Sequence, residues 1–197
     1  MEAFTDGVFA IAATLLILEI TVDTAHTTDL GSALLHLWPS YLAYVTSFIT
    51  IGIIWVNHHA IFELIDRSDR TLLFVNTFFL LDIAFIPFPT KLVAEFLRSP
   101  DERDAVLAYD LTLLLMALLF QLLWFYPSRR RRLIASEAPR ERVDAITRAF
   151  LPGVPLYLSI VAVAFVSATA SVVLTLAAAI FYVPSAWLTR RRAPPER

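Results

Sequence analysis

The sequence predicts an all-α, polytopic membrane protein with six transmembrane helices per subunit, on three observations. Hydrophobic residues make up 58% of the 197 positions and charged residues only 17%, against about 25% charge in an ordinary soluble domain. The apolar residues are gathered into runs that meet the need of a bilayer core about 30 Å thick for about 20 residues per helix. No succession of alternating ten-residue strands appears, so helices are left as the way to satisfy the backbone in lipid. A soluble enzyme is excluded on composition. Cysteine is absent, which removes disulfides and thiolate metal sites. With no long linker and no internal repeat, residues 1–197 are expected to form one transmembrane domain.

The first helix is expected over 4–22. Acidic Glu2 and Asp6 precede its apolar run where a signal peptide would carry basic residues, so it is expected to be retained. Asp6 is a capping-type residue, and Glu19 closes the run after about a dozen uninterrupted apolar or hydroxyl residues. A helix that short spans poorly alone and is expected inside an assembly. The second helix, 38–62, carries Trp38 and Trp55 near its ends, where indoles sit at the membrane interface. The third, 71–94, contains Pro87 and Pro89, each lacking a backbone donor, so a kink or unwound turn is expected there. The fourth spans 105–126, with Trp124 as an anchor. From Ala149 to Leu188 no charge interrupts forty residues, about 60 Å of helix, twice the hydrocarbon thickness. That run must fold back into helices at 148–168 and 171–189, with the small polar stretch Ser167–Ser171 as the expected bend and Trp187 as the last anchor.

Six spans put both termini on one side. Thirteen basic residues then fall on that side (Arg67, Arg70, Arg129, Arg130, Arg131, Arg132, Arg140, Arg142, Arg148, Arg190, Arg191, Arg192, Arg197), and only Lys91, Arg98 and Arg103 on the other. The positive-inside rule makes the basic side cytoplasmic. The Arg129–Arg132 cluster is read as a topology signal and headgroup anchor in the lipid bilayer, not as a nucleic-acid patch.

In the first helix, Phe4, Val8, Ile11, Leu15, Leu18 and Val22 recur at 4, 3, 4, 3, 4 spacing. That is the seam of a helix facing copies of itself or a partner, or plain packing. Gly7, Ala10, Ala13 and Thr14 beside it permit close approach. Polar residues at membrane depth are functional suspects: Asp6, Asn57, His58, His59, Asn76, Asp82, Asp110 and Gln121. Asp6 lies at the depth of His58 and His59, and a charge-assisted hydrogen bond joining the first two helices is the expected use of both. A metal site is the alternative, but adjacent histidines lie about 100° apart on a helix and no HxxxH or ExxH spacing accompanies them, so none is expected. Asp82 suits either a proton relay or a buried hydrogen bond. No nucleophile with its base, phosphate loop or oxyanion motif is present, so no enzyme and no cofactor is expected.

The run Phe4-Thr5-Asp6-Gly7-Val8-Phe9-Ala10-Ile11-Ala12-Ala13-Thr14-Leu15-Leu16, the stretch Trp55-Val56-Asn57-His58-His59 and Pro87-Phe88-Pro89-Thr90 together resemble prokaryotic members of the transmembrane protein 175 family. Those are similar to the lysosomal potassium channel of animals, in which two six-helix units are fused. The resemblance implies a homotetrameric cation channel in the cell membrane, permeable to potassium and other monovalent cations, with the first helix lining a central pore. It places the pore constriction at Ile11, Leu15 and Leu18 and a selectivity-linked hydroxyl layer at Thr14. An inter-helix network is implied at Phe4, Thr5, Asp6, Trp55 and His58, with Thr5 standing where the family usually has Ser. In such a channel Glu19 and Asp23 would line the outer mouth and concentrate cations. The alternative is a proton-coupled secondary transporter using intramembrane carboxylates such as Asp82 or Asp110. A pore-less assembly subunit is the third possibility.

Overall fold

In a computed structural model the backbone is described for residues 2–22 and 29–188, with side chains throughout except at 2, 181 and 183–188. Among these residues the fold is all-helical. The helices are α1 (Glu2–Leu15), α2 (Leu30–His36), α3 (Trp38–Phe62), α4 (Arg70–Phe85), α5 (Pro87–Phe96), α6 (Glu102–Ser128), α7 (Arg140–Phe150), α8 (Gly153–Ala164) and α9 (Ala168–Leu188). Four stretches are long and apolar enough to cross a bilayer: Trp38–Phe62, Arg70–Phe96, Glu102–Arg131 and Arg140–Ala164.

Each expected apolar segment is largely helical, but the fifth is broken at Leu151–Pro152 between α7 and α8, and other boundaries differ from expectation for local reasons. After Leu15, α1 tightens into a 3-10 turn, Leu16–Glu19. At about 1.5 Å per α-helical residue and about 2.0 Å per 3-10 residue the two pieces together reach about 29 Å, close to the hydrocarbon thickness. Most of that length comes from the helix starting at Glu2, ahead of the apolar run, and the tighter winding adds only about 2 Å. The short α2 lies in a stretch expected to be loop. Asp29 caps it, accepting from the amides of Gly31 and Ser32.

Helix α7 starts at Arg140, well before the expected 148. Its charges kept it out of any apolar window, yet Val143 and Ile146 are buried and Trp124 donates its indole N–H to Thr147 at 3.0 Å. The bend before α9 falls at Phe165–Ser167, at the leading edge of the expected stretch. There the Ser167 hydroxyl accepts from the Ala170 amide, starting the new helix. The proline kink lies where it was expected: Ile86 alone separates α4 from α5, and Pro87 opens α5, where a missing N–H costs nothing.

Helix α6 is the hub, packing against α8, α4, α5 and α9. Lipid tails are as apolar as leucine, so polar contacts between helices supply specificity that burial cannot. Ser47 of α3 bonds both Thr90 of α5 (2.8 Å) and Tyr109 of α6 (2.9 Å). Asp110, fully buried on α6, accepts from Ser171 and Thr175 of α9.

At the Arg-rich end two loops are stitched together by backbone bonds, Asp66 N–H to Leu133 O (3.0 Å) and Ala135 N–H to Leu64 O (2.9 Å). Arg142 reaches Glu63 at 2.7 Å in the same layer. Asp69 caps α4 there. The Tyr126 hydroxyl first, and the Leu72 amide second, hold its carboxyl below the usual aspartate range. Arg190, Arg191, Arg192 and Arg197, counted in the charge asymmetry, lie outside the described residues.

Candidate functional site

Helix α1 has two unlike faces. Thr5, Phe9, Ala12 and Leu16 are buried at 4, 3, 4 spacing, and that face rests on α3, α4 and α5. The opposite stripe is open: Phe4, Ile11, Leu15 and Leu18 are 68, 60, 41 and 67% exposed, while Val8 and Val22 of the same series are half-buried. In a 3-10 turn residues three apart eclipse one another, so Leu18 is kept above Leu15 on the open face. Thr14 is exposed beside them. Its hydroxyl lies 2.9 Å from Ala10 O and 3.0 Å from Ile11 O, so its proton is held by the helix and its oxygen is left to accept.

Toward the Arg-rich end, α1 is fastened to α3 and α4 by two polar links. Trp55 donates its indole N–H to Asp6 at 2.8 Å. The Asn76 amide donates to the Thr5 hydroxyl at 3.4 Å, and its carbonyl oxygen accepts from His58 Nε2 at 2.9 Å.

The expected bond between Asp6 and the histidine pair is therefore corrected. Asp6 is exposed and meets the indole, while His58 turns inward, stacking on Phe62 at 4.3 Å and Phe79 at 5.6 Å, with Phe9 tilted beside it. His59 lies outside this cluster and faces Glu63 at 3.5 Å. Phe4 projects from the open face, away from these links. Asn76, noted in the sequence only as polar at depth, is the bridge. Its position six residues into α4, level with His58 once both helices are built, was the available signal.

At the other end of α1, Glu19 is half-buried, with Lys91 of α5 3.3 Å away. Asp23, expected at the same mouth, lies outside the described residues. Lys91 was counted from the sequence only as a minority positive charge. Asp82 is buried on α4, and its Oδ2 has no hydrogen-bond partner among the described residues. Asp110, by contrast, is satisfied by α9. Asn57 and Gln121 line an apolar cavity between α3, α6, α8 and α9, shared with Phe120 and Tyr157. Among the described residues no group of three or more His, Asp or Glu gathers to hold a metal.

Residues 1–87 match the family model described as the endosomal/lysosomal potassium channel TMEM175. Over 185 residues the chain is 45% identical to a protein named as a potassium channel from Chamaesiphon minutus, covering 92% of this chain and 91% of that one. A protein named as a potassium channel from Streptomyces collinus is 46% identical over 182 residues, covering 90% and 85%. The crystal structure of a lysosomal potassium-selective channel TMEM175 homolog from Chamaesiphon minutus superposes with a TM-score of 0.85 at 42% identity, over 94% of this chain and 95% of that one.

Proposed function

The chain belongs to the TMEM175 family of ion channels, and from that premise we propose that it is a potassium-permeable cation channel whose pore is lined by α1. Residues 1–197 act as one six-span unit, in which α1 with its 3-10 turn and α9 join the four longer crossings. Four copies surround a central axis. Both termini face the cytoplasm, as the basic loops require, and the protein resides in the cell membrane.

Ile11, Leu15 and Leu18, each repeated fourfold, form a hydrophobic constriction that dewets when narrow and passes a largely hydrated cation when α1 splays or rotates slightly. Thr14 supplies the hydroxyl layer between two of these rings. The pore has no carbonyl filter, so its preference for potassium over sodium is modest. Glu19 and Asp23 stand at the outer mouth. The Trp55–Asp6 and Thr5–Asn76–His58 links hold the inner half of α1 to its own subunit, so that opening works against them.

The observation that carries this reading is the apolar stripe of α1, which faces away from its own subunit while the other face of the same helix is fully engaged. A coupled transporter is the second reading, favoured by buried Asp82, whose Oδ2 has no hydrogen-bond partner among the described residues. Single-channel recording in a planar bilayer, with potassium on one side and sodium on the other, decides between them. Discrete current steps that reverse on the potassium side support the channel. A flux that saturates and follows the proton gradient without steps refutes it.

A further inference from the structure

We propose that Lys91 sets how strongly the outer mouth concentrates cations, acting through Glu19 as a positioning and charge-neutralising residue; this rests on the pore reading above. The 3-10 turn that carries Leu18 packs against α3 and α5 and ends at Glu19. Its last backbone bond runs from Ile20 N–H to Ile17 O.

Lys91 sits one turn into α5, four residues beyond the proline that opens it. Its ammonium lies 3.3 Å from Glu19 Oε2 and 4.0 Å from Glu95 Oε1. Two acids thus share one cation. Glu19 has 24% of its side chain exposed and Lys91 42%, so the pair is screened less than a free surface pair, yet it still faces water.

One consequence follows from the chemistry. The lysine offsets one negative charge of the Glu19 and Glu95 pair in each subunit, beside the turn that carries Leu18, and a fourfold axis multiplies the effect. The acidic mouth that Glu19 implies by itself is, in the folded protein, a partly discharged one.

The test is potassium conductance of the reconstituted channel at about 0.1 M and about 1 M salt, where the screening length falls from about 10 Å to about 3 Å. Lys91→Met is expected to raise single-channel conductance about twofold at the lower salt and to leave it unchanged at the higher. Lys91→Arg is expected to match the native channel, and Glu19→Gln introduced with Lys91→Met to remove most of the gain. Should Lys91→Met fail to assemble, Lys91→Gln serves, with the same rise in conductance expected at about 0.1 M and none at about 1 M.

Equal conductance at about 0.1 M in the native and Lys91→Met channels overturns the proposal, as does a Lys91→Met change that persists at about 1 M. Leu15→Asn is run in parallel. If it too leaves conductance unaltered, the pore reading itself has failed; if it responds while the Lys91 and Glu19 variants do not, only the role of Lys91 has.

Discussion

Among the stripes of exposed apolar side chains on this molecule, one on α1 and one on α6 invite comparison. On α1 they are Phe4, Ile11, Leu15 and Leu18; on α6 they are Leu111, Leu115, Leu118, Leu122 and Phe125. The spacing is of the same kind in both, so periodicity alone gives them the same meaning. Their settings differ. Helix α6 has 27 residues, about 40 Å, more than the membrane core requires, and its stripe has the bulk of a surface meant for lipid. The α1 stripe belongs to a helix of 14 residues prolonged by a 3-10 turn. It is interrupted by a hydroxyl at Thr14 and ends on a charged pair. On the pore reading proposed above, length and uniformity suit the α6 stripe to lipid, and short span and a polar layer suit the α1 stripe to a wet axis.

The same chemical change on the two stripes breaks this comparison most directly. Leu15→Asn is expected to raise resting potassium conductance about a hundredfold, equivalent to about 2.7 kcal/mol of barrier, in liposome flux measurements. Leu118→Asn is expected to leave conductance per channel within about twofold. Equal effects at both positions would erase the distinction.

A smaller effect concerns what holds α1 in place. Asn76→Leu leaves the His58 N–H and the Thr5 hydroxyl without their partner and should cost about 1–3 kcal/mol, read as a lower melting temperature of the purified protein. Phe74→Leu, on the exposed face of the same helix, should cost well under that.

Smaller again is the hydroxyl layer. Thr14→Ala should reduce the preference for potassium over sodium by about twofold in bi-ionic reversal potentials, whereas Ser159→Ala, a comparable helix-bonded hydroxyl on exposed α8, should not.

The smallest lies outside the stripes, in the Arg-rich layer that both helices approach. The Asp69 carboxyl is held low by Tyr126, so its contribution to stability is present above the ordinary aspartate pKa of about 3.9 and is lost as pH falls through the lowered value. Tyr126→Phe should move that loss upward toward pH 3.9, which a carboxyl NMR titration would register.

The placement of the apolar helices was legible because hydropathy and length constrain a chain in lipid strongly. Where charge and apolar residues mix, as in α7, the signal was present only as the Val143–Ile146 spacing, which an apolar window averages away. The α1 stripe was legible as a stripe; which side of it meets its own subunit was not, since Thr5, Phe9, Ala12 and Leu16 are an equally regular series. The Asn76 bridge and the Glu19–Lys91 pair depend on two helices being brought level, in the second case by the bend at Ile86. Neither distance exists in one dimension. Nor does the number of copies around an axis, which a single chain does not carry.

The burial of Asp110 beneath Ser171 and Thr175 makes the middle of the bundle depend on α9. A chain cut short of position 171 keeps the carboxyl and loses both of its donors, and a buried acid without partners is costly in hydrocarbon. Truncation toward the far end of the sequence is thus felt 61 residues earlier, within α6.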